Sequence, residues 1–154
     1  MLLTVHAATG VLIGQKVPFW WLAFLIGFIS HFIMDIIPHG DQKIAERYRA
    51  RTHTKQAIQF VLIDLAVCIA FSIFWLLKYS DNIYNYSAIY MGLAGSLLPD
   101  FLVGIHELYP KLFKRFHKFH FKIHDLFPTK KINLPIGLLI QMVLLIILLT
   151  LYNF

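Results

Sequence analysis

The sequence predicts an all-α protein, a polytopic membrane bundle of four to five spanning helices with a short first segment. Apolar residues make up 58% of the 154 residues, charged residues only 14%, and the mean hydropathy is +0.67. A soluble domain is about 45–50% apolar and about 25% charged, so a soluble globule would lack charge for its surface. Intrinsic disorder is excluded because it requires low hydrophobicity. We predict a single membrane domain over residues 1–154.

Five apolar runs divide the chain into candidate spans. A span needs roughly 20 apolar residues, since a helix rises about 1.5 Å per residue through roughly 30 Å of hydrocarbon. Four runs approach this length, at residues 17–37, 56–77, 84–105 and 134–151. The run at residues 2–14 is shorter and suits either a short crossing helix, which we prefer, or a re-entrant segment. Its start lacks the basic residues and cleavage site of a signal peptide, so we expect it to be retained.

Small residues predict close contacts between two of these helices and their neighbours. Gly10 and Gly14 are four residues apart and therefore share one helix face. Gly92, Gly95 and Ser96 form a second group of small residues. Small residues let helix backbones approach each other closely in a membrane bundle.

The basic residues predict the orientation of the bundle. Twelve of the fourteen lie in two connections, after the run at 17–37 and after the run at 84–105. The positive-inside rule makes these connections cytoplasmic. The formal charge of +6 also favours contact with anionic headgroups.

The longer connection, residues 106–133, is a histidine-rich basic loop in which phenylalanines alternate with lysines and histidines. This pattern predicts an amphipathic helix at the cytoplasmic membrane surface, with the bilayer and its headgroups as partners. Aromatic and basic residues in alternation also suit single-stranded nucleic acid. Because the neighbouring spans hold the loop at headgroup level, we expect no nucleic-acid partner.

Histidines and aspartates gather toward the predicted cytoplasmic face, although imidazoles and carboxylates are expensive in hydrocarbon unless they serve a function. The densest group is a motif at the end of the second run. It reads Ser30-His31-Phe32-Ile33-Met34-Asp35-Ile36-Ile37-Pro38-His39-Gly40-Asp41. His31 and Asp35 lie one helical turn apart, so both can bind one ion. Pro38 predicts that the helix ends near residue 37 and that the last residues fold back as a turn.

The predicted metal ligands come from four segments. They are His6, His31, Asp35, His39, Asp100, His120 and His124. The single cysteine offers no thiolate cluster. Imidazole and carboxylate ligands suit one or two divalent ions, with zinc preferred and manganese or iron as alternatives. For His31 and Asp35, a purely structural hydrogen-bonded pair is the competing interpretation. For the loop histidines, the competing interpretation is that they belong to the polar side of an amphipathic helix at the membrane interface.

Other polar residues are assigned supporting roles. Asp64 and Ser30 are predicted to orient the ligands through hydrogen bonds. Arg51, His53 and Lys118 are candidates for binding an anionic substrate. Asp35 or Asp41 could act as the general base.

These motifs, together with His6-x-x-x-Gly10 and Leu98-Pro99-Asp100, resemble small bacterial inner-membrane proteins known as membrane-bound metal-dependent hydrolases. The resemblance implies a multi-span protein of a bacterial-type inner (plasma) membrane with a hydrolase-type metal centre. The order of His31, Asp35 and His39 is also distantly similar to the zinc-binding helix of the zinc-dependent phospholipase C and single-strand nuclease superfamily.

The leading hypothesis is a membrane-embedded, metal-dependent hydrolase. It would act on a phospholipid or another amphipathic phosphoester at the cytoplasmic leaflet. One alternative is a divalent-cation or proton-coupled transporter that uses Asp35, Asp64 and Asp100. Another is a non-catalytic membrane protein with a structural metal.

Overall fold

The computed structural model describes residues 1–40, 54–78, 83–124 and 132–152, and all regular structure in these ranges is helical. Six helices lie within them: α1 (Leu3–Lys16), α2 (Trp20–Asp35), α3 (Thr54–Lys78), α4 (Ile83–Leu108), α5 (Lys114–His124) and α6 (Leu134–Thr150). The predicted all-α class is confirmed. A helix coincides with each of the five apolar runs to within a few residues at either end, and α5 lies in the basic loop.

Two helices of the described ranges are long and apolar enough, by length and composition, to cross a membrane. They are Ile58–Lys78 within α3 and Tyr86–Leu108 within α4. Helices α2 and α6 are apolar but have 16 and 17 residues. They are therefore about 24 and 26 Å long, shorter than a hydrocarbon core of roughly 30 Å. The count of four to five spans stays a prediction.

Much of the apolar surface faces away from the protein. Only 11% of the most apolar part of α3 is buried inside the bundle. Ile63 and Leu77 on this helix are 66% and 69% exposed. Soluble monomers rarely expose contiguous apolar patches larger than a few hundred Å². A helix that is apolar on all sides and barely covered by protein favours a lipid environment.

Helix α1 lies inside the bundle, where it packs against α2, α3, α4 and α6. Nine of its 14 residues are buried. The chain after α6 closes over it, because the Tyr152 hydroxyl donates a hydrogen bond to the Ala8 carbonyl. The Tyr152 ring stacks on Trp75 of α3 at 4.2 Å. This placement explains why a helix too short to face lipid along its length can be stable: protein covers most of it.

The close contacts predicted from the small residues are confirmed. A Cβ atom added at Gly10 of α1 would lie 2.6 Å from the Gly92 carbonyl oxygen of α4. One added at Gly27 of α2 would lie 2.5 Å from the same oxygen. Both distances are shorter than van der Waals contact, so side chains here would force the backbones apart. Gly92 is thus where α1 and α2 both approach α4.

Prolines set the limits of α2. Val17 and Phe19, on either side of Pro18, are extended, so the helix begins at Trp20 rather than at the predicted residue 17. A proline disfavours the α conformation at the residue that precedes it. At the other end α2 stops at Asp35, two residues before the predicted limit, and Pro38 follows.

Helix α5 packs against α2 and α4. The Phe116 and Phe119 rings lie 6.4 and 5.6 Å from the Phe32 ring of α2. The basic side chains of α5 are exposed; they are Lys114, Arg115, Lys118 and Lys122. The helix predicted in the basic loop is therefore present and amphipathic, while its position at the headgroups stays a prediction.

Substitution of Gly10 tests the close contact between α1 and α4. We expect Gly10→Ala to lower the free energy of unfolding by about 1–3 kcal/mol, because the added methyl group meets backbone atoms that cannot rotate away. Thermal unfolding in detergent, followed by circular dichroism, measures the effect. Gly104→Ala is the matched control, since nothing lies within 4 Å of a Cβ there. Equal stability of the two variants would contradict the packing argument.

Candidate metal centre

Four ligand-type side chains from three helices converge on one point. His31 and Asp35 come from α2, Asp100 from α4 and His120 from α5, and one ligand atom of each lies within 4.8 Å of the others. His31, Asp35 and His120 are buried. The Asp100 side chain is 24% exposed, so the cluster is open on that side. The structure thus brings together four residues that the sequence predicts as metal ligands.

The spacing of these atoms is close to that of ligands around a small ion. Two ligands of a tetrahedral zinc, each about 2.0–2.1 Å from the metal, are about 3.3 Å apart. Asp35 Oδ2 lies 3.1 Å from His31 Nε2 and 3.5 Å from His120 Nε2. Asp100 Oδ1 lies 3.6 and 4.0 Å from the same two nitrogens. The four atoms lie within 4.8 Å of one another, so the group is wider than a closed tetrahedral shell and the side chains would move inward on binding an ion.

The hydrogen bond between His31 and Ser96 sets the direction of the His31 lone pair. His31 Nδ1 lies 2.8 Å from the Ser96 carbonyl oxygen, which can only accept, so Nδ1 carries the proton. In the neutral ring, Nε2 then presents its lone pair to the cluster. A backbone carbonyl that orients a ligating histidine in this way is a common feature of metal sites.

This arrangement places two acceptors face to face. Within the described ranges, His31 Nε2 and Asp35 Oδ2 have no hydrogen-bond partner, although they are only 3.1 Å apart. Such a pair is stable only when a positive charge lies between the two atoms. A proton can join two atoms, whereas a metal ion can also join the Asp100 carboxylate and the His120 imidazole. A bound ion would therefore satisfy all four groups at once.

Helix α4 supplies both a candidate ligand, Asp100, and the carbonyl that orients His31. Ser96 and Asp100 are four residues apart, so the carbonyl that orients His31 and the carboxylate that faces it lie on the same side of α4. The close approach of α2 and α4 at Gly27 and Gly92 makes this possible. Sequence reasoning missed the role of Ser96, because a backbone carbonyl leaves no signature in the side-chain pattern.

His6 of α1 lies directly beside the cluster. Its ring is stacked on His31 with centroids 4.0 Å apart and is 0% exposed. His6 Nε2 lies 3.2 Å from Asp35 Oδ1 and 3.9 Å from Asp100 Oδ2. The predicted convergence of α1 with α2 and α4 is thus present in the structure.

His39, Ser30 and Lys118 occupy other positions. His39 Nδ1 lies 2.6 Å from the Ile37 carbonyl oxygen, and His39 is not among the four residues that converge. The Ser30 hydroxyl donates to the Gly27 carbonyl of its own helix. Lys118 is exposed on α5. Asp41, Arg51, His53 and the side chain of His124 lie outside the described residues.

Asp64 of α3 holds the start of α1. Its carboxylate accepts hydrogen bonds from the backbone N–H groups of Leu3 and Thr4, at 2.7 and 3.4 Å, and from the Thr4 hydroxyl at 3.0 Å. The first N–H groups of a helix have no partner within it, so this carboxylate acts as a cap supplied by another helix. Asp64 therefore positions the helix that carries His6.

Two further groups were not predicted. The α-amino group of Met1 donates to Asp35 Oδ1 at 2.9 Å. Gln141 of α6 accepts from the Leu2 N–H at 2.7 Å and donates to the His39 carbonyl at 3.0 Å, so it links the start of α1 to the turn after α2. A lone polar residue in an aliphatic run was the available signal for Gln141. The α-amino group gives no sequence signal.

Comparisons of the chain with protein-family models, with curated proteins and with solved structures returned no match. The resemblance to membrane-bound metal-dependent hydrolases therefore rests on the motifs alone.

Substitution of Asp64 tests its role as a cap. We expect Asp64→Ala to lower the free energy of unfolding by about 0.5–2 kcal/mol, as loss of a helix cap does. Asp64→Asn retains one acceptor oxygen and should lose less. Thermal unfolding in detergent measures both effects, and equal losses in the two variants would contradict the capping role.

Proposed function

We propose that this chain is a membrane-embedded, metal-dependent hydrolase that acts on a phospholipid or another amphipathic phosphoester. The observation that carries this proposal is the convergence of His31, Asp35, Asp100 and His120, with an opening beside Asp100. Two imidazoles and two carboxylates form a donor set that suits zinc, with manganese or iron as alternatives. An open coordination position is the mark of a catalytic rather than a structural metal.

The two carboxylates differ in the roles that they can perform. Asp35 is 3% exposed and surrounded by His6, His31, His120 and the Met1 amine, so it suits holding an ion. The Asp100 side chain is partly exposed, so substrate and water can reach the centre from its side. A bound divalent ion would polarise a phosphoryl oxygen and acidify a coordinated water.

Hydrolysis would proceed by attack of water on phosphorus. A new P–O bond forms to the water oxygen, and the P–O bond to the alcohol breaks. The attacking water would lose its proton to solvent, which reaches the centre beside Asp100, and the leaving alkoxide oxygen would take a proton from solvent on the same side.

The surroundings of the site support a lipid substrate. Helix α5, which carries His120, exposes four basic side chains and also Phe119, which is 50% exposed. Basic and aromatic side chains on one short helix suit the headgroup region of an anionic membrane. In this proposal α5 lies at the cytoplasmic surface of a bacterial-type inner membrane, and the basic side chains hold the headgroup near Asp100.

Metal analysis and a lipid-hydrolysis assay test the proposal directly. We expect the purified chain in lipid nanodiscs to carry stoichiometric zinc and to release phosphorylated or free headgroup from phospholipid. His31→Ala and Asp100→Ala should lose the metal, and activity should fall more than about 100-fold, since even groups that only orient ligands are worth about 10–100-fold.

His106→Ala is the matched control, because His106 Nδ1 bonds the Leu112 carbonyl outside the cluster. The control should retain both metal and activity. Absence of metal from the wild type would overturn the proposal. Bound metal without hydrolysis, but with cation uptake into proteoliposomes, would favour the transporter; bound metal with neither activity would favour a structural ion.

Charge reversal at Lys118 tests the role of α5 in headgroup binding. A single charge near an anionic surface is worth about 1 kcal/mol, and Lys118→Glu changes the charge by two units, so the variant should lower kcat/KM on anionic lipid by up to about 30-fold. Activity on a zwitterionic lipid should change much less. Equal losses on the two substrates would show that Lys118 does not discriminate headgroup charge.

A further inference from the structure

The two carboxylates of the centre each face imidazoles through both oxygens. Asp35 Oδ2 and Asp100 Oδ1 lie 3.1 and 3.6 Å from His31 Nε2. The other two oxygens, Asp35 Oδ1 and Asp100 Oδ2, lie 3.2 and 3.9 Å from His6 Nε2. Each carboxylate therefore presents one oxygen to His31 and the other to His6.

No hydrogen bond within the described ranges explains the burial of His6. It is 0% exposed, and neither of its ring nitrogens has a hydrogen-bond partner among the described residues. Leaving a buried polar group unsatisfied is unfavourable, so such groups in native structures require an explanation. The distance from His6 Nε2 to Asp35 Oδ1 is again close to the value of about 3.3 Å for two ligands of one zinc ion.

We propose that the centre binds two divalent cations and that Asp35 and Asp100 bridge them. The first ion is held by His31 and His120, and the second by His6, with one oxygen of each carboxylate on each ion. This inference rests on the proposed function, because it adds a second ion to the same centre.

The stacking of His6 on His31 is compatible with two neighbouring ions. The two rings are 4.0 Å apart and inclined by 22°, and the Nε2 atoms of both rings face the carboxylates of Asp35 and Asp100. Ions bound by two such rings would be separated by a similar distance. Two-metal hydrolytic sites hold their ions about 3.5–4 Å apart.

The charge of a two-ion centre specifies the substrate further. Two divalent ions carry four positive charges, the carboxylates of Asp35 and Asp100 cancel two, and the neutral imidazoles cancel none. The remaining two positive charges match one hydroxide and one phosphodiester anion. A second ion therefore favours a phosphoester substrate over a neutral carboxylic ester.

The α-amino group of Met1 defines the competing arrangement. It lies 2.9 Å from Asp35 Oδ1, on the side where the second ion is proposed. As an ammonium group it would neutralise this oxygen itself, and the centre would bind one ion. The two arrangements differ in metal stoichiometry, which can be measured.

Manganese titration of the full chain tests the inference. The protein in detergent is stripped with a chelator, loaded with Mn²⁺, and examined by metal analysis and electron paramagnetic resonance. We expect two ions per chain and a spectrum broadened by coupling between them. His6→Ala should retain one ion with an uncoupled six-line spectrum, and His106→Ala, the matched control, should retain two coupled ions.

One ion per chain in the wild type, or two coupled ions in His6→Ala, would overturn the inference. The wild-type spectrum decides the question even if the His6→Ala variant fails to fold. Two coupled ions without phosphoester hydrolysis would refute the proposed function and support the two-ion centre. Hydrolysis with a single ion would support the proposed function and refute the second ion.

Discussion

The buried carboxylate of Asp35 constrains how the helices of this protein can pack. It is 3% exposed, and an ionised carboxylate removed from water is costly unless positive charges or donors surround it. Its neighbours are the Met1 amine, His6 of α1, His31 of its own helix and His120 of α5. Displacing any of these elements would leave the carboxylate less compensated. The orientation of α1 and α5 relative to α2 is therefore tied to one charged group.

Glycine makes this concentration of polar groups possible. Packed helices are ordinarily 8–10 Å apart, with side chains filling the space between their axes. At Gly10, Gly27 and Gly92 no side chain intervenes, so α1 and α2 both approach the backbone of α4. The short imidazole and carboxylate side chains one or two turns away can then reach each other across three helices. The backbone contacts at the glycines thus allow the histidine and aspartate side chains, one or two turns farther along the helices, to lie within coordination distance of one another.

The sequence predicted the helices and much of the site because both depend on local spacing. His31 and Asp35 share a helix face at four-residue spacing, and Asp100 is a carboxylate within an apolar run. The sequence analysis missed features that act through the backbone or depend on tertiary packing. The Ser96 carbonyl that orients His31 has no side-chain signature. His39 follows a turn whose direction is set by contacts with α6. The number of spans also escapes prediction, since apolar helices of intermediate length suit either lipid or protein surroundings.

The division of the ligands among the helices has a kinetic consequence. His31, Asp35 and Asp100 belong to α2 and α4, which approach each other backbone to backbone. His120 belongs to a short helix that is held by side chains, through the rings of Phe116 and Phe119 and the contact of His117 with Glu107. Aromatic contacts between side chains can separate and re-form while the glycine contacts stay intact. The lability of a bound ion and the stability of the bundle are therefore governed by different sets of contacts. Exchange of an ion bound at this centre would then require displacement of α5 alone, without unfolding of the bundle.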